Sequence, residues 1–229
     1  MRLVDSVAES FAELVDGLVA SKAPTGCSLF LSGGSTAVAC YAALAARGRT
    51  PGWSSVDVFL GDERCVPPND PDSNHRMIAE ALLSVVGPVR SDHPMYTGGT
   101  PSAAADAYQE LVASVGRPDL VHLGIGPDGH TASLFPDSVA LLEPEEGRLV
   151  AINQDPHGVN PYPRVTLTLA GIATARLVVV TVSGRSKRDA LTRIMAGEDL
   201  PGGRVHGDEV LWLVDAAAIG GPVHDAVTE

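Results

Sequence analysis

Five short apolar runs constrain this chain more than any other feature: "CSLFLS", "VDVFLG", "DLVHLGIG", "RLVVVTVSG" and "EVLWLVD". Each has the length of a strand. Several are apolar at consecutive positions, so both of their faces must be covered. Helical segments separate them. The opening segment carries Val4, Val7, Phe11, Leu14, Val15, Leu18 and Val19 at helical spacing. "AVACYAALAARG", "SNHRMIAEALL", "SAAADAYQELVASVG" and "SKRDALTRIMAG" read as further helices. "RLVAIN" adds a strand, and "RVTLTLAGI" reads as a strand running into a short helix. "DERCVPPNDPDSN" reads as a polar loop kept non-helical by Pro67 and Pro68, and "DPHGVNPYP" as a loop inside the domain. Strands alternating with helices from end to end predict an α/β fold. The expectation is one domain over residues 1–229, with a mainly parallel sheet covered by helices on both faces. A hydrophobic fraction of 45% supplies a sizeable core without disulfide staples.

The remaining bulk properties exclude whole classes of function. Cys27, Cys40 and Cys65 form no CxxC pair, and their odd number argues against a disulfide framework. A reducing cytoplasm is the expected compartment. The first residues, "MRLVDSVAESFAEL", contain acids and lack the continuous apolar core of a signal peptide. No apolar run approaches the roughly 20 residues that span a bilayer. A formal net charge of -12 disfavours nucleic-acid and anionic-membrane partners. An anionic small ligand would need a local island of cations against that background.

In such folds ligands sit beyond the carboxyl ends of the strands. The loops carrying "GGST", "DER", "PDGH" and "GRSK" should therefore meet. In "LSGGSTAVA", Gly33 and Gly34 allow close backbone approach, and the Ser35 and Thr36 hydroxyls at a helix start suit a phosphate. The plainer reading is a tight turn with Ser35 or Thr36 as N-cap. Asp62, Glu63 and Arg64 stand just past a strand, either as a solvated turn or as site residues. "GIGPDGHTASLFP" reads as the end of a strand and the start of a helix. In it Asp128 can orient His130, whose imidazole suits proton transfer near neutrality, or can merely cap the next helix. Arg164 and Lys187 suit an anionic substrate, Arg as a bidentate fork and Lys as a compact charge. His75, His93, His122, His206 and His224 lack metal-ligand spacing, with His122 expected to be packed inside a strand. Neither a Walker loop nor a dinucleotide fingerprint is present, so no metal and no cofactor is expected.

Read together and in order, "LSGGST", "GDERCVPPNDPDSNHRM", "GIGPDGHTASLFP", "RVTLT" and "SGRSKRDAL" resemble the 6-phosphogluconolactonase family over almost the whole chain. The resemblance implies a Rossmann-like α/β domain that hydrolyses the δ-lactone of 6-phosphogluconate in the oxidative pentose phosphate pathway without a cofactor. It implies a phosphorylated sugar lactone as partner and a monomer or small homo-oligomer. With it, His130 becomes a general base on water, Asp128 its orienting group, and Arg64 the cation facing the carbonyl oxygen, with Lys187 second. Gly33, Gly34, Ser35, Thr36, Arg164 and Lys187 would hold the phosphate. The sister family, glucosamine-6-phosphate deaminase, shares the glycine-rich loop and the "DGH" turn. Its pattern has Tyr where this chain has Arg64, and a catalytic Glu where this chain reads "LFP" around Phe135. One departure from the lactonases stands out: their proline-rich loop often carries a Lys, whereas "DPHGVNPYP" has none and offers His157. A non-catalytic sugar-phosphate sensor is the alternative from another class. Such regulators usually carry a DNA-binding segment, and this acidic chain begins directly with the core helix.

Overall fold

The computed structural model describes residues 1–23, 25–48, 52–142 and 145–220; His224 lies outside them. In chain order the strands are β1 (Arg2–Leu3), β2 (Cys27–Leu31), β3 (Val56–Leu60), β4 (Asp62–Arg64), β5 (Ser91–His93), β6 (Leu120–Gly124), β7 (Val150–Asn153), β8 (Arg164–Leu167), β9 (Leu177–Val182) and β10 (Glu209–Val214). The helices are α1 (Val7–Lys22), α2 (Ser35–Ala46), α3 (Asn74–Ile78), α4 (Ser84–Val86), α5 (Pro101–Val115), α6 (Val139–Leu142), α7 (Leu169–Ala173), α8 (Arg188–Met195) and α9 (Ala216–Ile219).

Seven strands form one sheet in the order β1-β10-β9-β6-β2-β3-β5. Every pairing in it is parallel. The chain builds outward from β2 through β3 to β5, then returns to the other side of β2 and builds outward again through β6, β9 and β10. The order reverses between β2 and β6. Loops leaving those two strands diverge there and open a crevice, the usual ligand position in such sheets. The apolar runs explain the strands' place: Leu29, Phe30 and Leu31 of β2 and Leu120, Val121 and Leu123 of β6 are all fully buried. Both faces are therefore covered.

A buried polar network lies just beneath the crevice. The Tyr41 hydroxyl accepts the Ser32 N–H and stands 2.9 Å from both the Ser32 carbonyl and His122 Nδ1. His122 Nε2 is 2.9 Å from Thr181 Oγ1, and Ser32 Oγ donates to the His122 carbonyl. Burial pushes the His122 pKa down to about 3, so this imidazole stays neutral and locks β2, β6 and β9 together. The expectation of a packed strand histidine holds.

The expectation for "DER" does not. Asp62–Arg64 form a strand of a second, antiparallel sheet in the order β4-β8-β7. Likewise "RVTL" pairs with β4 on one side and with "VAIN" on the other, and neither joins the parallel sheet. Gly61 makes the junction: its N–H bonds the Leu31 carbonyl, and its carbonyl receives the Leu167 N–H. A strand of three charged or polar residues whose partner lies about a hundred positions away has no periodic signature to read.

Candidate active site

The crevice is a cavity of about 150 Å³ lined by Gly33, Gly34, Arg64, His130, Arg164 and Lys187, all expected site residues. Asp128 stands behind His130. Ser35 and Thr36 line a side cavity of about 50 Å³ together with Gly33, Gly34 and Lys187. The segments that follow β2, β3, β6 and β9 thus converge as the strand pattern requires, the one after β3 as strand β4 rather than as a loop.

The glycine turn is built differently from the plain capping reading. The N-cap of α2 is Gly34, at φ 95°, with no side-chain cap; Ser35 and Thr36 are the first two helical residues. Their hydroxyls are not used to cap this helix. An L side chain at φ 95° would be strained, so Gly34 is needed for the turn itself. Gly33 is needed for a different reason. A Cβ there would overlap the Asn74 carboxamide, which crosses this turn to donate to the Asp62 carbonyl at 2.9 Å.

Glu63 anchors that crossing. It is 1% exposed, and its carboxylate accepts from the Arg64, Asn74 and His75 N–H groups and from Ser73 Oγ, at 2.7–3.0 Å. Burial raises its pKa and these donors oppose the rise. Four donors on two oxygens suit a carboxylate, not an acid. Its neighbour Asp62 receives Ser133 Oγ at 2.6 Å. The acids of "DER" are therefore buried tie-points, and only Arg64 of the triplet presents a cation to the cleft.

On the opposite wall, no helix begins at "DGH". The chain turns back: Gly126 N–H bonds the His130 carbonyl, and a Thr131–Leu134 bridge follows. The next helix is α6, so Asp128 caps nothing. Instead its Oδ1 lies 2.6 Å from His130 Nδ1 and also accepts the His130 N–H. Partial burial works against the Asp128 carboxylate, but the bonds from His130 hold its pKa below the ordinary value. The Phe135 ring meets the imidazole edge-on at 4.9 Å. A Cβ on Gly126 would overlap both His130 Nδ1 and the Asp128 carboxylate. Gly126→Ala should therefore lower kcat by about 10²-fold, since displacements near 1 Å cost that much. Circular dichroism should show an unchanged fold; unaltered turnover would mean that the pair's geometry does not matter.

The cationic groups are held under tension. Arg64 and Arg164 are direct cross-strand partners in the β4–β8 pair. Arg64 Nη1 donates to the Asp72 carbonyl and Arg164 Nη2 to the Pro161 carbonyl. Both Nε–H groups are buried and, among the described residues, meet no acceptor. Arg164 is 6% exposed, and burial lowers its pKa despite Asp62, with Arg64 adding to the effect. Burial also lowers Lys187. Like charges opposite one another with unmet donors are unfavourable on their own. They are well suited to an anion placed between them.

Asn74, Phe135 and Asn160 are among the lining residues that the sequence does not single out as site residues. Asn74 lies in the resembling stretch "DSNHRM" but gives no chemical signal by itself. His157, the residue offered by the proline-rich loop, points away, 60% exposed and 3.5 Å from Asp137. Among the described residues, no group of three or more His, Cys, Asp or Glu side chains is placed to hold a metal.

Residues 1–212 match the family described as glucosamine-6-phosphate isomerases/6-phosphogluconolactonase. The chain belongs to this family. Within it, the chain is 37% identical over 230 residues to the 6-phosphogluconolactonase of Mycobacterium tuberculosis, covering 93% of this chain and 92% of the relative. The crystal structure of the 6-phosphogluconolactonase from Thermotoga maritima superposes with a TM-score of 0.78 at 31% identity, covering 93% of this chain and 98% of that one. A monomeric glucosamine-6-phosphate deaminase superposes with a TM-score of 0.81 at 20% identity, covering 96% and 99%. That last likeness concerns the fold alone. The fold by itself therefore does not decide the activity, and the chemistry of the site must. Phe135 presents an apolar wall to the cleft, with the Arg164 guanidinium 5.9 Å from its ring centre.

Proposed function

We propose that this chain is a 6-phosphogluconolactonase, one domain over residues 1–229 that hydrolyses 6-phospho-D-glucono-1,5-lactone to 6-phospho-D-gluconate in the oxidative pentose phosphate pathway. The observation that carries the reading is the His130–Asp128 pair facing Arg64 and Arg164 across one cleft. Asp128 accepts Nδ1–H, which leaves Nε2 as the free base. His130 Nε2 takes a proton from water as the water oxygen attacks the lactone carbonyl carbon. The carbonyl oxygen gains negative charge opposite Arg64. The tetrahedral intermediate then breaks the bond to the ring oxygen, and the imidazolium returns its proton to that oxygen. The phosphate, remote from the carbonyl, is held by the Gly33–Thr36 turn, Lys187 and Arg164, and its binding positions the lactone.

A lactone has no carbon acid to deprotonate, so Phe135 costs nothing in this chemistry. The deaminase reading requires proton transfers for which the cleft offers fewer carboxylates. The purified protein should accelerate opening of freshly generated 6-phosphogluconolactone well above the spontaneous rate and release no ammonia from glucosamine 6-phosphate. Ammonia release with no lactone opening would reverse the assignment. Binding of 6-phosphogluconate without either turnover would favour a sugar-phosphate sensor.

A further inference from the structure

The proline-rich loop lacks the Lys that the resemblance leads one to expect, yet it does reach the cleft, through Asn160. Asp155, buried at 6% exposure, holds that residue. Its carboxylate accepts the Asn160 N–H at 2.9 Å, Asn160 Nδ2 at 2.8 Å and the His157 N–H at 2.8 Å. A carboxylate buried in a loop is costly unless such donors surround it, and two of the three belong to Asn160. The loop is pinned again beyond it. Arg164 Nη2 bonds the Pro161 carbonyl, and Tyr162 is held at φ 74°, a conformation costing of order 1–3 kcal/mol for such a residue.

Among the described residues, no protein group meets Asn160 Oδ1 or its second amide hydrogen. The neutral amide shares the cleft with three cations, an imidazole and the Asp62 carboxylate, which already accepts Ser133 Oγ. Guanidinium and ammonium groups suit the phosphate and the carbonyl oxygen, but a δ-lactone ring also presents hydroxyls at C2, C3 and C4. A carboxamide with one free acceptor and one free donor can accept from one hydroxyl and donate to its neighbour. We infer that Asn160 is the residue of this loop that recognises ring hydroxyls of the lactone, and that Asp155 is its positioning residue. The inference rests on the lactonase reading above.

The test compares the wild-type protein with Asn160→Ala on the parent lactone and on its 2-, 3- and 4-deoxy analogues. Wild type should lose about 5- to 10-fold in kcat/KM on at least one analogue, the value of a neutral hydrogen bond. Asn160→Ala should lose a similar factor on the parent and nothing further on that analogue. Asp155→Ala should reproduce this pattern, and the double variant should be no worse than either single one. Equal losses on all four lactones, or parent activity unchanged in Asn160→Ala, would overturn the assignment. Additive losses in the double variant would remove Asp155 from it. Calorimetric binding of 6-phosphogluconate, which carries the same hydroxyls, separates this idea from the lactonase reading. Binding without turnover in wild type sinks the lactonase reading, while an Asn160→Ala affinity equal to wild type sinks this one.

Discussion

His130→Ala is expected to lower kcat on 6-phosphogluconolactone by about 10²–10⁴-fold, the usual worth of a general base, with little change in KM. The imidazole is set by its surroundings rather than by its own flexibility. Thr131 Oγ1 donates to the Gly124 carbonyl and Gly126 N–H to the His130 carbonyl, closing the loop on both sides. Asp128 fixes Nδ1 and Phe135 flanks the ring. None of these contacts involves the phosphate-holding groups, so binding should survive the substitution. Asp128→Asn isolates the charge of the pair. The Asp128 pKa is lowered in the folded protein, so the carboxylate stays ionised at neutral pH and favours the imidazolium that forms during attack. This carboxylate contributes stability above its ordinary pKa, and that contribution is lost as pH falls through the lowered value. Rates must be corrected for spontaneous lactone hydrolysis. A His130→Ala protein with full corrected turnover would remove the histidine from the mechanism.

Five strands of the parallel sheet, β2, β3, β6, β9 and β10, were legible as short apolar runs, whereas the edge strands β1 and β5 are short, polar or exposed and gave no such signal. The convergence of Gly33, His130 and Lys187 followed from strand ends alone. The small antiparallel sheet was not legible. Asp62, Glu63 and Arg64 look like a solvated turn because burial of Glu63 depends on main-chain donors at positions 64, 74 and 75, and main-chain groups carry no side-chain signature. The same blindness hid the Arg64–Arg164 pairing, which arises from register between strands far apart in sequence. Asn160 was missed for a related reason: only the folded loop sets it against Asp155 and at the wall of the cleft. Gly34, Ser35 and Thr36 were all named from the sequence, but the capping role given to Ser35 or Thr36 falls to Gly34.

Arg64 and Arg164 should separate catalysis from phosphate binding. Arg64→Ala is expected to lower kcat by about 10²–10³-fold, the scale for removing a donor to a developing oxyanion. The loss should be equal on 6-phosphogluconolactone and on unphosphorylated gluconolactone, because both develop the same charge. Arg164→Ala should instead raise KM for the phosphorylated lactone by about 10–10²-fold, the value of a charge-assisted hydrogen bond, and leave the unphosphorylated lactone almost unaffected. Neither variant should gain ligand-free stability. Each relieves two cations facing each other across β4 and β8 and one buried N–H without an acceptor. Each also loses a main-chain bond, Arg64 Nη1 to Asp72 or Arg164 Nη2 to Pro161, and Arg164→Ala empties the space of a buried side chain. Added 6-phosphogluconate should then raise the melting temperature of the wild type more than that of either variant, since the anion no longer neutralises a repelling pair. A proportional loss on both lactones for Arg164→Ala would show that it does not hold phosphate. A loss confined to KM for Arg64→Ala would move the oxyanion role to Lys187, whose ammonium borders the same cleft.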